Sequence, residues 1–221
     1  MARFVGRIGT KINYATGKAE KTELDEQTVL QTIRYEHFRD DADALQGKLA
    51  DILVNPNSLT CAEKLAEAMA QMSAHVDKSY GLNGDAANLA ECLRAIGRAQ
   101  KEIVPTIREN VVTPMQKFLK TEVVEFKKAK GQLDTAILDM DGCRSKRARS
   151  QSPDPSVKAE LERKEEEARQ TFETKLEEFK AIANQLGSHQ NNQEQILKTF
   201  ATTLLEYHKA AAEKINEYLQ T

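Results

Sequence analysis

Residues 157–218 read VKAELERKEEEARQTFETKLEEFKAIANQLGSHQNNQEQILKTFATTLLEYHKAAAEKINEY, and their apolar positions decide the fold. Val157, Leu161, Ala168, Phe172, Leu176, Phe179, Ile182 and Leu186, then Ile196, Phe200, Leu204, Tyr207, Ala211, Ile215 and Tyr218, follow one another by threes, fours or sums of them. That spacing is the seam of a coiled coil and predicts a long helix from just after Ser152-Pro153-Asp154-Pro155 to the end. The polar run Gly187 to Gln193 predicts a kink or a buried polar register device, because the apolar pattern resumes at once. So long a stripe needs partners of equal length. The expected fold is all-α, an elongated three-helix antiparallel coiled coil, with the apolar faces left near both ends covered by a second copy in a homodimer.

The preceding sequence supplies the other helices. Thr22, with Glu23 and Asp25, predicts a capped, acid-rich first turn, followed by an apolar stripe of Leu30, Ile33, Phe38, Leu45, Leu49 and Ile52 that stops at Asn55-Pro56-Asn57. Ser58 is the expected cap of a shorter helix through Met69 and Met72 to about Tyr80-Gly81, after which Asn83-Gly84-Asp85 resets the chain. From Asp85 a helical pattern of nearly sixty residues runs past Met140, with Pro105 and Pro114 each removing a hydrogen bond and predicting a bend.

Composition agrees and excludes. Of 221 residues 30% are charged, 5% are aromatic and none is Trp, which suits long helices better than a compact enzyme core. The formal net charge of -2 removes the global basic footprint of a nucleic-acid binder, so attraction to phosphate must be local. The sequence has no apolar run of membrane-spanning length and no signal-peptide core, and Cys61, Cys92 and Cys143 are odd in number and far apart, which together predict a cytoplasmic chain with free thiols. His37, His75, His189 and His208 have no metal-ligand spacing, and neither a phosphate-binding loop nor a nucleophile elbow occurs, so no enzyme, cofactor or metal is expected. The abundant carboxylates are expected to form ion pairs along helix faces.

Local charge does concentrate. Between Met1 and Lys18 there are four basic side chains and no acid. On a helical wheel Met1, Phe4, Val5, Ile8, Ile12 and Ala15 share about a third of the circle, with Arg3, Arg7, Lys11 and Lys18 on the adjacent sector. Phe4, Val5, Ile8 and Ile12 are the candidate membrane-inserting residues, and Gly6, Gly9 and Gly17 predict that the segment folds only on lipid. A frayed terminus and a mitochondrial presequence are the alternatives. The run Arg144, Lys146, Arg147 and Arg149 is expected at a hairpin between the two longest helices, as a distal headgroup-binding tip, against a solvated loop or a nuclear localisation signal. Lys117, Lys120, Lys127, Lys128 and Lys130 form a third cluster, either a lipid-facing surface or an ordinary solvated face.

Four short motifs, in order, resemble a known family. Residues Gly17 to Asp25 (GKAEKTELD) are similar to the junction of insertion helix and first long helix in endophilin-B-like and nadrin-like BAR domains; Val111-Val112-Thr113-Pro114-Met115-Gln116 resembles their Pro-bearing bend. Leu138-Asp139-Met140-Asp141 resembles the LD[FM]D that precedes the basic tip, and Glu206-Tyr207-His208-Lys209 the YH[RK] near the end of the last helix. The chain thus resembles BAR domains with an N-terminal amphipathic helix, as in endophilins, amphiphysins and the Rich/nadrin RhoGAP proteins. The resemblance implies a crescent-shaped antiparallel homodimer that binds anionic phospholipid membranes peripherally and senses or generates curvature in membrane trafficking such as endocytosis. Residues 1–22 are then the membrane-inserting segment and 23–221 the dimerisation and membrane-binding domain. Two alternatives remain: a scaffold coiled coil, and a small-GTPase-binding module of the arfaptin type that needs no wedge.

Overall fold

The computed structural model describes residues 14, 20–53, 55, 57–75 and 81–220, apart from the side chains of 51 and 52. Every regular element among them is helical: α1 (Glu26–Ile52), α2 (Cys61–His75), α3 (Leu82–Ile107), a π-helical segment (Arg108–Val112), α4 (Thr113–Lys120), α5 (Glu122–Arg149), α6 (Pro155–Ala183) and α7 (Leu186–Leu219). The described residues of Met1–Asp40 and Leu119–His189 form one compact unit, and those of Asp41–Phe118 and Gln190–Thr221 a second.

In the first unit α1, α5 and α6 pack around three aromatic rings. Tyr35 lies flat on Phe126, with ring centroids 3.9 Å apart and planes within 1°. Phe126 in turn meets Phe179 at 5.3 Å. Cross-helix pairs give the directions. Asp25 reaches Lys180 at 3.2 Å and Gln31 reaches Asn184 at 2.8 Å, so α1 runs parallel to α6. Glu36 pairs with Lys130 while Thr22 meets Asp141, so α1 is antiparallel to α5. α5 and α6 form the antiparallel hairpin that the seam requires.

The core face of α1 is not the stripe expected. The buried positions are Thr28, Tyr35, Ala42 and Leu49, each seven residues from the last. Leu30, Ile33 and Leu45 are exposed, as is Val29. A stripe of large apolar residues marks burial only when one partner is in view, and α1 carries two apolar faces of which the monomer covers one. Its cap also differs. Asp25, not Thr22, closes the helix: Oδ1 accepts from the Thr28 amide at 2.9 Å and Oδ2 from the Thr28 hydroxyl at 2.8 Å. Those two hydrogen bonds, with Lys180 adding to them, pull the Asp25 carboxyl down to about 2.

In the second unit α2 starts two residues later than Ser58 would set it. Thr60 and Glu63 form a reciprocal capping box, Glu63 N–H to Thr60 Oγ1 at 3.1 Å and Thr60 N–H to Glu63 Oε2 at 2.7 Å, which satisfies two orphan donors where Ser58 could satisfy one. Glu63 also holds Lys101 of α3 at 2.8 Å. The contact is possible because position 97 lacks a side chain. A Cβ on Gly97 would lie 2.5 Å from Glu63 Cγ and 2.7 Å from Thr60 Oγ1. Gly97→Val is therefore expected to lower stability by about 1–3 kcal/mol in urea denaturation, with the α2 amides exchanging first.

Asn83, Gly84 and Asp85 do not reset the chain; they lie in the first turn of α3, where Asn83 and Ser73 exchange hydrogen bonds. The expected single helix is instead divided. Pro114 cannot donate to the Asn110 carbonyl and its ring crowds that oxygen, so the preceding turn widens and the Thr113 N–H reaches back five residues to Arg108. This π turn buries Val111 and Val112 consecutively against Leu49, Ile107, Met115 and Ile196. Further along α3, the Cys92 thiol meets the Lys214 carbonyl at 3.3 Å, so α3 and α7 are antiparallel. α6 and α7 are separated at Asn184-Gln185, just before the polar run that suggested a kink, and Gln193 of that run is buried.

Candidate membrane-binding surface

α5 carries seven of the thirteen candidate headgroup-binding cations, and its helix runs through the basic run to Arg149. The turn is confined to residues 150–154, where Asp154 caps α6 by accepting the Ser156 amide at 2.8 Å and Pro155 opens the helix. The cations thus do not sit on a loop. Lys146, Arg147 and Arg149 occupy the last turn, where they also complement the negative end of the helix dipole.

The inward face of α5 is Val123, Phe126, Ala129, Leu133, Ala136, Ile137, Met140 and Asp141. At about 100° per residue, Lys127, Lys128, Lys146 and Arg149 fall within about 100° of one another on the opposite face, and all four are exposed. Asp134 and Asp139 are the carboxylates bordering this stripe, so it retains positive charge. Two clusters that are separate in sequence are one surface on the helix.

Three other cations of α5 are paired across or along the helices. Lys130 pairs with Glu36 at 2.5 Å, Arg147 with Glu165 at 3.0 Å, and Arg144 lies 3.5 Å from both Asp141 and the Thr22 hydroxyl. Lys120 is exposed, as is Lys117, which belongs to the second unit. Phe4, Val5, Ile8, Ile12, Arg3, Arg7, Lys11 and Lys18 lie outside the described residues.

α6 shows the contrast. Arg163 bridges Glu160 and Glu167, Lys164 also reaches Glu160, and Arg169 joins Glu166 and Glu173, both at 2.6 Å. The hydrogen bonds from Arg163 and Lys164 hold the Glu160 carboxyl down to about 2. These cations are neutralised within their own helix, whereas Lys127, Lys128 and Lys146 make no ion pair among the described residues.

One buried carboxylate was not foreseen. Asp141 is 1% exposed and accepts three hydrogen bonds from the N-terminal side of the chain. Oδ2 takes the Tyr14 hydroxyl at 2.5 Å and the Thr22 amide at 2.8 Å; Oδ1 takes the Thr22 hydroxyl at 2.5 Å. Burial and the bond to Asp141 hold the Tyr14 phenol protonated well beyond its ordinary range. No periodicity could reveal partners more than a hundred residues apart. The sequence signal was the LDMD motif alone, which marks the position without its partner. No group of His, Cys, Asp and Glu among the described residues could hold a metal ion.

The family model for the BAR domain matches residues 1–221. The chain belongs to the BAR domain family. Among solved structures this BAR domain is similar to the N-terminal I-BAR domain (1–259) of D. discoideum IBARa, with 10% identity over 89% of each chain and a TM-score of 0.44. No curated protein sequence matches it. Membership in the BAR family implies membrane binding and the sensing or generation of curvature by a non-enzymatic module. No helix among the described residues is long and apolar enough to cross a membrane.

Proposed function

We propose that this BAR domain works as a crescent-shaped homodimer on the cytoplasmic face of anionic membranes, peripherally bound, where it senses or generates curvature in trafficking. The observation that carries this reading is the exposed stripe on α5, whose Lys127, Lys128 and Lys146 make no ion pair among the described residues, while Arg163, Lys164 and Arg169 of α6 are neutralised within their own helix. Headgroups are contacted by Lys127, Lys128, Lys146 and Arg149, with further attraction from Arg3, Arg7, Lys11 and Lys18. Phe4, Val5, Ile8 and Ile12 insert as a wedge. Each Lys or Arg near an anionic leaflet contributes about 1 kcal/mol, screened over about 8 Å at physiological salt, so several must act together. Dimerisation doubles the contacts and converts weak binding into avid binding when curvature lets both subunits touch.

The second unit supplies apolar surface for the dimer. Leu65, Met72, Leu197, Leu205, Ile215 and Leu219 are large, apolar and exposed there. Exposed apolar patches of this kind mark association surfaces.

Cosedimentation of the full chain with small and large phosphatidylserine-containing vesicles, with electron microscopy for tubules, tests the reading. Lipid-dependent, curvature-dependent binding supports it. GTP-dependent binding to a small GTPase without lipid overturns it. Insertion is checked separately: Phe4→Glu is expected to abolish most of the helicity gained on adding vesicles, whereas Thr10→Glu, with the same added charge on the polar side, reduces it far less, measured by circular dichroism. Equal losses at both positions show that only net charge matters.

A further inference from the structure

A fully buried carboxylate in a helical core needs a reason. Its neighbours on the inward face of α5, Ile137 and Met140, show that an apolar side chain suits this packing, and burying a charge costs several kcal/mol unless it is well paired. The pairing of Asp141 comes almost wholly from outside its helix. Tyr14 and Thr22 donate three hydrogen bonds from residues that precede α1, and Arg144 lies alongside at 3.5 Å. The carboxylate is therefore satisfied only while the N-terminal side of the chain is docked on α5.

Where it docks matters. Lys146 is five residues beyond Asp141, about 7.5 Å along the helix axis. Phe4 is ten residues from Tyr14, a reach of about 15 Å if helical and about 35 Å if fully extended. With Tyr14 held, the apolar residues cannot enter a bilayer far from the basic end of α5. Were it released, the chain would pivot from Asp25 at the start of α1, with eleven more residues of freedom.

We propose that Asp141 is a positioning residue that latches Tyr14 and Thr22 to α5, so that wedge insertion and headgroup binding by the α5 lysines act on the same patch of bilayer. This rests on the membrane reading above. The latch converts two independent weak contacts into one bivalent contact with a short, fixed connector, and the gain in binding falls about threefold when the connector doubles in length, while the fixed placement of the wedge is lost.

The test uses the full chain and two variants, Asp141→Asn and Tyr14→Phe, the second of which leaves the inward face of α5 intact. Thermal melts establish that each is folded. The Thr22 amide, which donates to Asp141, is read by NMR hydrogen exchange; in both variants it is expected to exchange at least about tenfold faster than in the wild type. With phosphatidylserine vesicles, both variants are expected to sediment within about threefold of the wild type, since the α5 lysines remain, while tubule yield falls about fivefold or more. Unchanged Thr22 exchange in Asp141→Asn overturns the latch. Faster exchange with wild-type tubulation overturns the coupling while leaving the membrane reading intact. Failure of the wild type itself to bind vesicles overturns the membrane reading, and the coupling with it.

Discussion

Reversing the three stripe lysines together, Lys127→Glu, Lys128→Glu and Lys146→Glu, is expected to weaken binding to anionic vesicles by at least about a hundredfold at low salt. Each reversal removes about 1 kcal/mol of attraction and adds a similar repulsion, so the summed effect on one subunit reaches about 6 kcal/mol before screening. The loss should shrink steadily as salt is raised, because exposed charges are screened. Folding should hardly notice: the three side chains are exposed, and isolated surface charges contribute within about 0.5 kcal/mol. The control is α6, where Arg163→Glu, Lys164→Glu and Arg169→Glu make the same change in net charge at cations already paired to carboxylates. A salt titration of vesicle sedimentation for wild type and both triple variants decides between geometry and net charge. If the two variants behave alike, overall charge governs binding and the α5 stripe is an ordinary solvated face.

The largest loss of stability is expected from Phe126→Ala, at about 3–5 kcal/mol in chemical denaturation. Phe126 is 1% exposed and holds Tyr35 on one side and Phe179 on the other, so its removal opens a cavity shared by three helices that cannot all close in. Tyr35→Phe should go the other way. The Tyr35 hydroxyl is buried with no hydrogen-bond partner among the described residues, and its removal spares an unsatisfied group, so stability is unchanged or raised by up to about 1 kcal/mol. A loss of more than about 1 kcal/mol on Tyr35→Phe would show that the hydroxyl does have a partner.

Much of the helical architecture was legible because it rests on local rules. The apolar spacing of residues 157–218 announced a coiled-coil seam, and its middle lies where expected, with Phe179, Leu186 and Ile196 buried. Pro114 announced a disturbance, which the structure resolves as a π turn ending two residues upstream. The caps were less legible. Thr22 and Asp25 both suit an N-cap, and Ser58 and Thr60 likewise. The choice fell to the residue whose third neighbour could answer it, Thr28 for Asp25 and Glu63 for Thr60.

The candidate surface was legible in part. Both basic clusters were visible as charge runs, but which members are paired was not, because ion pairs such as Lys130 with Glu36 and Arg147 with Glu165 join residues on different helices. The Asp141 contact was not legible at all.

The sequence by itself determined the helical class, the order of the long helices and the clustering of basic residues, since hydrophobic period, proline and charge act over one or two turns. Only the tertiary structure decided which of α1's two apolar faces is core, how four cations of α5 become one stripe, and why Asp141 is buried. Those outcomes depend on which side chains meet across helices, and a local pattern limits such meetings without choosing among them.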